Sequence, residues 1–164
     1  MILYHGSTVV VEDPEVDRNK SEAIDFGAGF YTTTSYEQAE RWARTKMRRS
    51  NKDVGYVSVY EFDYTAAKEA GAIRTFDGAN AKWLDYVTAN RAKKHHGPIH
   101  GIDVGPVADD DATRTIKLYE SGVYTKKETI RRLKTEQLKD QWVFHDQELV
   151  RFLKFERYDI IEKE

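Results

Sequence analysis

The chain contains no cysteine, which excludes disulfide bonds, thiolate nucleophiles and sulfur-ligated metals. Internal repeats, low-complexity tracts and linker-like segments are also absent from the 164 residues, so we expect one domain over residues 1–164. No apolar run approaches the length of a membrane span, and the first residues lack the pattern of a signal peptide. We therefore expect a cytoplasmic protein without a membrane partner.

A strong excess of one charge is lacking too. The formal net charge is -2, which argues against general attraction to nucleic acid. Two local clusters of basic residues occur, and solvated helix faces balanced by acids are their simpler interpretation. The clusters are Arg41, Arg44, Lys46, Arg48, Arg49 and Lys52, and Lys126, Lys127, Arg131, Arg132 and Lys134.

Apolar residues make up 40% of the chain, enough for a packed core. Strand-like and helix-like segments follow one another without strict alternation, which predicts a mixed α+β domain rather than a parallel doubly wound sheet. Residues 12–29 read as a surface loop. The predicted strands cover 2–4, 30–34, 55–64, 99–107, 141–145 and 155–161. Ser35 with Gln38 is a capping-box pattern, so a first helix should start there, and a short second helix should end at 71. Four further helices are expected: one over 79–94, one after a cap at 109–111, one over 126–138 and one over 146–152.

Three segments have residue types that suit a ligand site. In the first, His5 ends a predicted strand and Gly6 follows it, so a ligand can approach the backbone beside an imidazole. In the second, Gly27 and Gly29 precede Tyr31, which suits a bend around a planar group. The structural alternatives are a satisfied histidine at a strand end and a tight turn before a core strand.

The third segment is Gln141, at the start of a predicted strand with apolar residues behind it. Its carboxamide offers both a donor and an acceptor to a cleft. The structural alternative is an exposed strand edge.

In this order, the three segments resemble the ADP-ribosyltransferase superfamily, in particular the clade related to diphtheria toxin and the poly-ADP-ribose polymerases. That signature combines a His-Gly-Ser/Thr strand, a glycine-framed aromatic-Tyr strand and a later strand opening with a polar residue. The chain is also similar to a bacterial family known only as a domain of unknown function. Shared features are the helix from Trp83 to Asn90-Arg91 and a Gly-Pro-Val-Ala-Asn-Asp segment, which reads Gly-Pro-Val-Ala-Asp-Asp here at 105–110. The similarity covers about residues 2–155.

The resemblance implies two antiparallel sheets around an NAD-binding cleft, with flanking helices. It implies a mono-ADP-ribosyltransferase, a glycosyltransferase that moves ADP-ribose from NAD+ to a protein or nucleic-acid acceptor and releases nicotinamide. NAD+ is the co-substrate, and no metal is implied. A toxin-like or phage-defence effector held by a small neutralising partner protein fits the same family. The alternatives are an NAD+ glycohydrolase, a non-catalytic NAD+ or ADP-ribose binding module, and a plain interaction protein.

The resemblance also assigns roles to residues. His5 would hydrogen-bond a ribose hydroxyl, while the Gly6 backbone and Ser7 would hold the nicotinamide amide. Tyr31 would stack on the nicotinamide ring, and Gly29 belongs to the glycine-framed bend before it. Arg91 would pair with the diphosphate or, alternatively, with a structural carboxylate. One of Asp103, Asp109 and Asp110 would be an acceptor-side base or contact the ribose; the alternative is that the aspartates at 109–111 cap a helix.

Gln141 stands where the best-studied transferases have glutamate. Cleavage of the nicotinamide–ribose bond builds positive charge on the sugar, which a carboxylate stabilises and a neutral amide does not. Losing one such interaction costs about 2 to 4 kcal/mol of transition-state stabilisation, so we expect a slower enzyme that transfers a single ADP-ribose.

Three other patterns carry less weight. His95, His96 and His100 match no standard zinc spacing, and a polar loop is the simpler account. Ser7 and His5 lack the Gly-x-Ser-x-Gly turn of a hydrolase. The glycines at 27 and 29 lack the third glycine of a dinucleotide-binding fingerprint.

Overall fold

The structure is a computed structural model that describes residues 1–16, 24–93 and 99–164. Within them the chain forms strands, α-helices and one 3-10 helix. None of the described helices has the length and apolarity needed to cross a bilayer. The elements are β1 Ile2–Ser7, β2 Phe30–Thr32, α1 Tyr36–Ser50, β3 Val54–Phe62, α2 Tyr64–Glu69, β4 Ile73–Thr75, α3 Ala81–Arg91, β5 Ile102–Pro106, α4 Asp110–Glu120, α5 Lys126–Lys134, β6 Asp140–Phe144, the 3-10 helix Gln147–Phe152 and β7 Leu153–Glu162.

The strands form two sheets, which confirms the predicted α+β class. The first sheet has the order β1-β3-β7 and is antiparallel throughout. The second has the order β2-β6-β5-β4, and its last pair, β4 with β5, is parallel. The expectation of two wholly antiparallel sheets is therefore wrong at this edge. Strand β4 has only three residues, too few to show an alternating pattern, and α3 supplies the crossover that a parallel pair requires.

Three apolar clusters hold the layers together. One fills the space between the two sheets, a second lies between the outer face of the second sheet and helices α3, α4 and α5, and a third lies under α1. The clusters include Tyr60, Phe62, Trp142 and Phe144 in the first, Phe26, Trp83, Tyr86 and Ile116 in the second, and Met47, Val57 and Ile161 in the third.

The other boundaries differ from prediction mainly at element ends. The cap of α1 is confirmed, because the Ser35 hydroxyl accepts from the Gln38 N–H. The predicted loop at 12–29 has no helix or strand in its described parts, and 17–23 lie outside the described residues. The predicted end of the third helix at 95–98 also lies outside them. Helix α5 stops four residues before its predicted end, and the segment before β7 is a 3-10 helix.

Gly6 shows why the first sheet and α1 fit together. Strand β1 extends beyond the predicted residues 2–4 and includes His5, Gly6 and Ser7. A Cβ atom at Gly6 would lie 1.9 Å from the Ala39 carbonyl oxygen and 2.8 Å from the Ala43 nitrogen. Helix α1 therefore packs directly on the β1 backbone, and close helix–sheet contact requires glycine at this position.

We predict that Gly6→Ala destabilises the protein by about 3 kcal/mol, because the new methyl group meets helix backbone that cannot rotate away. Urea unfolding at neutral pH measures the change. Gly71→Asn is the control: this position has positive φ, which Asn tolerates, and a Cβ atom there would have nothing within 4 Å. Equal stability of Gly6→Ala and the wild type would contradict this account of the packing.

Candidate functional site

Strands β1 and β2 touch at one point and then separate. The Tyr4 and Thr33 backbones exchange hydrogen bonds of 2.8 and 2.9 Å, and this bridge is isolated. Because backbone groups on a strand alternate in direction, the N–H and C=O of Gly6 point to the same edge as those of Tyr4. The Lys46 ammonium donates to the Gly6 carbonyl at 2.8 Å. The N–H and C=O groups of Gly6 therefore lie beside the place where β1 and β2 separate.

The His5 imidazole lies at the same junction. Its Nδ1 is 2.6 Å from the Tyr31 carbonyl oxygen, and its ring stacks on Phe30 with a centroid distance of 4.3 Å. A carbonyl oxygen only accepts hydrogen bonds, so Nδ1 carries a proton, and Nε2 is the acceptor nitrogen when the ring is neutral. The side chain is 8% exposed.

Tyr31 is fixed through its hydroxyl. The hydroxyl donates to the Gly27 carbonyl at 2.7 Å and accepts from the Phe26 N–H at 3.0 Å. Its ring meets Trp42 of α1 edge to face at 6.5 Å. Burial, and next the Asp25 carboxylate, raise the pKa of this phenol well above its ordinary value, so it stays protonated.

Gln141 lies in β6, an interior strand, and is 1% exposed, which rules out the exposed strand edge as its explanation. Its Nε2 donates to Asp25 Oδ2 at 3.1 Å and to the Pro106 carbonyl oxygen at 3.0 Å. Tyr31 pairs with Val143, two residues beyond Gln141 on the same strand. The Tyr31 and Gln141 side chains therefore leave the sheet on the same face.

Asp25 was not predicted from the sequence, yet it connects the parts of the site. Arg91 Nε and Nη2 approach Asp25 Oδ1 at 2.8 and 2.6 Å, and the Ala108 N–H donates to Oδ2 at 2.8 Å. Asp25 is 6% exposed. Arg91 thus has a carboxylate partner inside the protein. This is the structural carboxylate that was the alternative to the diphosphate for this residue. The only local sign of Asp25 in the sequence is its place beside the bend at Gly27.

Gly29 is also explained by packing. A Cβ atom there would lie 2.7 Å from Val143 Cγ1 and 2.9 Å from the Phe144 carbonyl oxygen. The loop before β2 therefore runs directly over the backbone of β6.

Asp103 belongs to a second buried network. Its carboxylate accepts from Arg74 at 2.7 and 3.0 Å, from the Tyr86 hydroxyl at 2.7 Å and from His145 Nε2 at 3.0 Å. Burial raises the pKa of the Asp103 carboxyl, but the hydrogen bonds from His145, Arg74 and Tyr86 outweigh it and hold the pKa below its usual value. His145 Nδ1 meets the Ala28 carbonyl oxygen at 2.8 Å. The imidazole therefore links the Ala28 carbonyl to the Asp103 carboxylate.

The remaining sequence candidates have mainly local roles. Asp109 caps α4 by accepting from the Ala112 N–H at 2.8 Å, and Asp110 is the first residue of that helix. His100 hydrogen-bonds Asp146 at 2.9 Å, while His95 and His96 lie outside the described residues. Among the residues that the structure describes, no group of three or more His, Asp or Glu side chains is arranged to hold a metal.

The structure therefore brings four predicted elements together around the separation of β1 and β2: the His5 ring, the Gly6 peptide, Tyr31 and Gln141. The faces differ, because His5 stacks on Phe30 between the sheets whereas Tyr31 and Gln141 lie on the helix side of the second sheet. Two open depressions of the described chain lie elsewhere, one lined by Arg74, Phe76, Lys82 and Tyr86 and the other by Met1, Glu61, Tyr64 and Arg151.

Comparison with known families gives one match. A family model described as "Protein of unknown function (DUF3990)" matches residues 1–155, nearly the whole chain. The chain belongs to the DUF3990 family. No curated protein and no solved structure matches this DUF3990 member. The match agrees with the similarity to a domain family of unknown function.

The Asp103 network generates a prediction about pH. The folded-state pKa of Asp103 is depressed, so its stabilisation is present above the ordinary Asp pKa, about 3.9, and disappears as pH falls through the lower folded value. Asp103→Asn should therefore destabilise this DUF3990 protein at pH 7 by about 3 to 5 kcal/mol, because His145 and Arg74 lose a buried anionic partner.

Urea unfolding of wild type and variant between pH 7 and pH 3 measures the difference, which should shrink below pH 4. Asp85→Asn removes an exposed ion pair with Lys126 and should change stability by less than about 1 kcal/mol. A difference between wild type and Asp103→Asn that stays constant with pH would contradict the prediction.

Proposed function

We propose that this DUF3990 protein is a mono-ADP-ribosyltransferase that moves ADP-ribose from NAD+ to a macromolecular acceptor and releases nicotinamide. The observation that carries the proposal is the junction of β1 and β2, where the His5 ring meets the Tyr31 carbonyl oxygen beside the Gly6 backbone, and where the Tyr31 and Gln141 side chains leave the second sheet on one face. These are the groups that the resemblance to the superfamily assigns to NAD+.

Nicotinamide binding is supported by the Gly6 backbone. A primary carboxamide offers one acceptor and two donors, which match the N–H and C=O of Gly6 on the edge of β1 opposite β3. Lys46 now donates to the Gly6 carbonyl, so the nicotinamide amide would compete with this ammonium for the oxygen. The Tyr31 ring, held by Gly27 and Phe26, would supply the stacking surface.

The reaction breaks the bond between ribose C1′ and the nicotinamide nitrogen. The bonding electron pair leaves with nicotinamide, whose ring becomes neutral, and a nucleophilic atom of the acceptor forms the new bond to C1′ and gives up its proton to solvent. His5 Nε2 would accept a hydrogen bond from a ribose hydroxyl, and Gln141 would orient the sugar. Positioning supplies most of the acceleration in such a site, because Gln141 carries no charge.

The proposal is tested with purified protein, radiolabelled NAD+ and a cell lysate. We expect nicotinamide release together with label on a macromolecule, which protease and nuclease digestion then identify as protein or nucleic acid. Nicotinamide release with free ADP-ribose alone would identify a glycohydrolase, and NAD+ binding without release would identify a binding module. If the protein neither binds NAD+ nor releases nicotinamide, NAD+ is not its ligand.

Tyr31 variants separate stacking from folding. Tyr31→Phe keeps the ring but removes the bonds to Gly27 and Phe26, so we expect a loss of about 1 to 2 kcal/mol in stability with NAD+ affinity nearly unchanged. Tyr31→Leu removes the ring and should weaken NAD+ binding at least roughly tenfold, in the range of aromatic contacts.

The measurements are urea unfolding and titration with NAD+. Tyr158→Phe, on an exposed residue of β7, is the matched control for loss of a hydroxyl. Equal NAD+ affinity of the Phe and Leu variants would show that the ring does not contact the ligand.

A further inference from the structure

The hydrogen bonds of Gln141 fix which end of its carboxamide is available. Asp25 Oδ2 and the Pro106 carbonyl oxygen only accept, so the atom that faces both must be Nε2. The two N–H groups are thereby used. In the part of the chain that the structure describes, no donor reaches Oε1 of Gln141, which points away from both partners because the amide is planar.

Asp25 is itself held rigidly. Arg91 grips its Oδ1, and the Ala108 N–H and Gln141 share its Oδ2. Arg91 also donates to the Thr113 hydroxyl at 3.0 Å and to the Ala108 carbonyl at 3.2 Å. Neither end of the ion pair can turn without losing several bonds, so the carboxylate is a fixed reference for the amide.

We propose that Asp25 is a positioning residue that makes the Gln141 carboxamide an acceptor-only group. It holds both N–H groups inward, so that Oε1 accepts a hydrogen bond from the ribose hydroxyl, as a carboxylate oxygen would. This inference rests on the proposed transferase function. The Asp25–Arg91 pair is neutral overall, so its effect on the reaction is orientation of Gln141 rather than added negative charge at the sugar.

The same geometry explains why a glutamine suits this position. A glutamate at 141 would place a second carboxylate about 3 Å from Asp25 and against the Pro106 carbonyl, with no proton between them, and two such carboxylates do not both ionise. Gln141→Glu would therefore gain no acceleration at neutral pH, although it restores the residue of the better-known transferases.

Asp25→Asn should instead reverse the orientation of the Gln141 carboxamide. The oxygen of the new carboxamide stays with Arg91, so its NH2 group faces Gln141, which must then flip and use Oε1 to accept from it. The oxygen needed by the ribose is then occupied. In the double variant Asp25→Asn/Gln141→Glu, the NH2 group at position 25 donates to one carboxylate oxygen of the new glutamate, and the other oxygen remains available to the ribose. The hydrogen bond to the Pro106 carbonyl is lost in both Asp25→Asn and the double variant, because each turns an oxygen toward it.

The test measures nicotinamide release by wild type, both single variants and the double variant from pH 5 to 9, with kcat and KM for NAD+ separated. We expect Asp25→Asn to lower kcat at least tenfold with less than a threefold change in KM, and the double variant to recover at least tenfold over Asp25→Asn. Gln141→Glu should gain a pH-dependent step that wild type and double variant lack. Asp111→Asn, on an exposed residue of α4, is the control.

Replacing Asp25 by Asn also removes the acceptor of the Ala108 N–H and so lowers stability. This loss is the same in Asp25→Asn and in the double variant, so it cannot explain a higher kcat of the double variant. A double variant as slow as Asp25→Asn, or a Gln141→Glu profile equal to wild type, would overturn the positioning role while leaving the transferase function intact. If wild type binds NAD+ without cleaving it, the transferase function fails, and NAD+ affinity of the same four proteins decides the role of Asp25. If wild type does not bind NAD+, both proposals fail.

Discussion

The ion pair between Asp25 and Arg91 is the contact through which the candidate site is held together. It joins the loop before β2 to α3, and through Ala108 and Gln141 it reaches the segment before α4 and the start of β6. Removing one member of such a buried pair typically costs about 3 to 5 kcal/mol, because the other is left as an uncompensated charge. The orientation of Gln141 therefore depends on a carboxylate more than a hundred positions earlier.

A second buried network fixes the other side of the same loop. His145 contacts the Ala28 carbonyl and links it to Asp103, while the Tyr31 hydroxyl binds the neighbouring Gly27 carbonyl. Backbone groups of the bend before β2 are thus satisfied by Tyr31 of β2 and by His145, the residue after β6. A loop fixed in this way presents the Tyr31 ring in one orientation, which is what a stacking surface for a planar ligand requires.

Prediction from sequence succeeded where signals are local and failed where they are not. The Ser35 cap, the Asp109 cap and the α+β class follow from short-range chemistry and patterning, and the structure confirms them. The parallel β4–β5 pair was missed because three residues carry no periodicity. Gly6 was explained as access for a ligand, whereas its close contact with Ala39 shows that helix packing alone requires a glycine there.

The sequence by itself determined the elements other than β4, the caps and the set of polar residues that resemble an NAD+ site, because these depend on residue types a few positions apart. Only the tertiary structure decided the partners of Gln141, Arg91 and Asp103. Each partner lies on another element, and burial makes an unmatched polar group so costly that the fold must supply one. No local pattern in the chain records that pairing, since it is set by which strands and helices become neighbours.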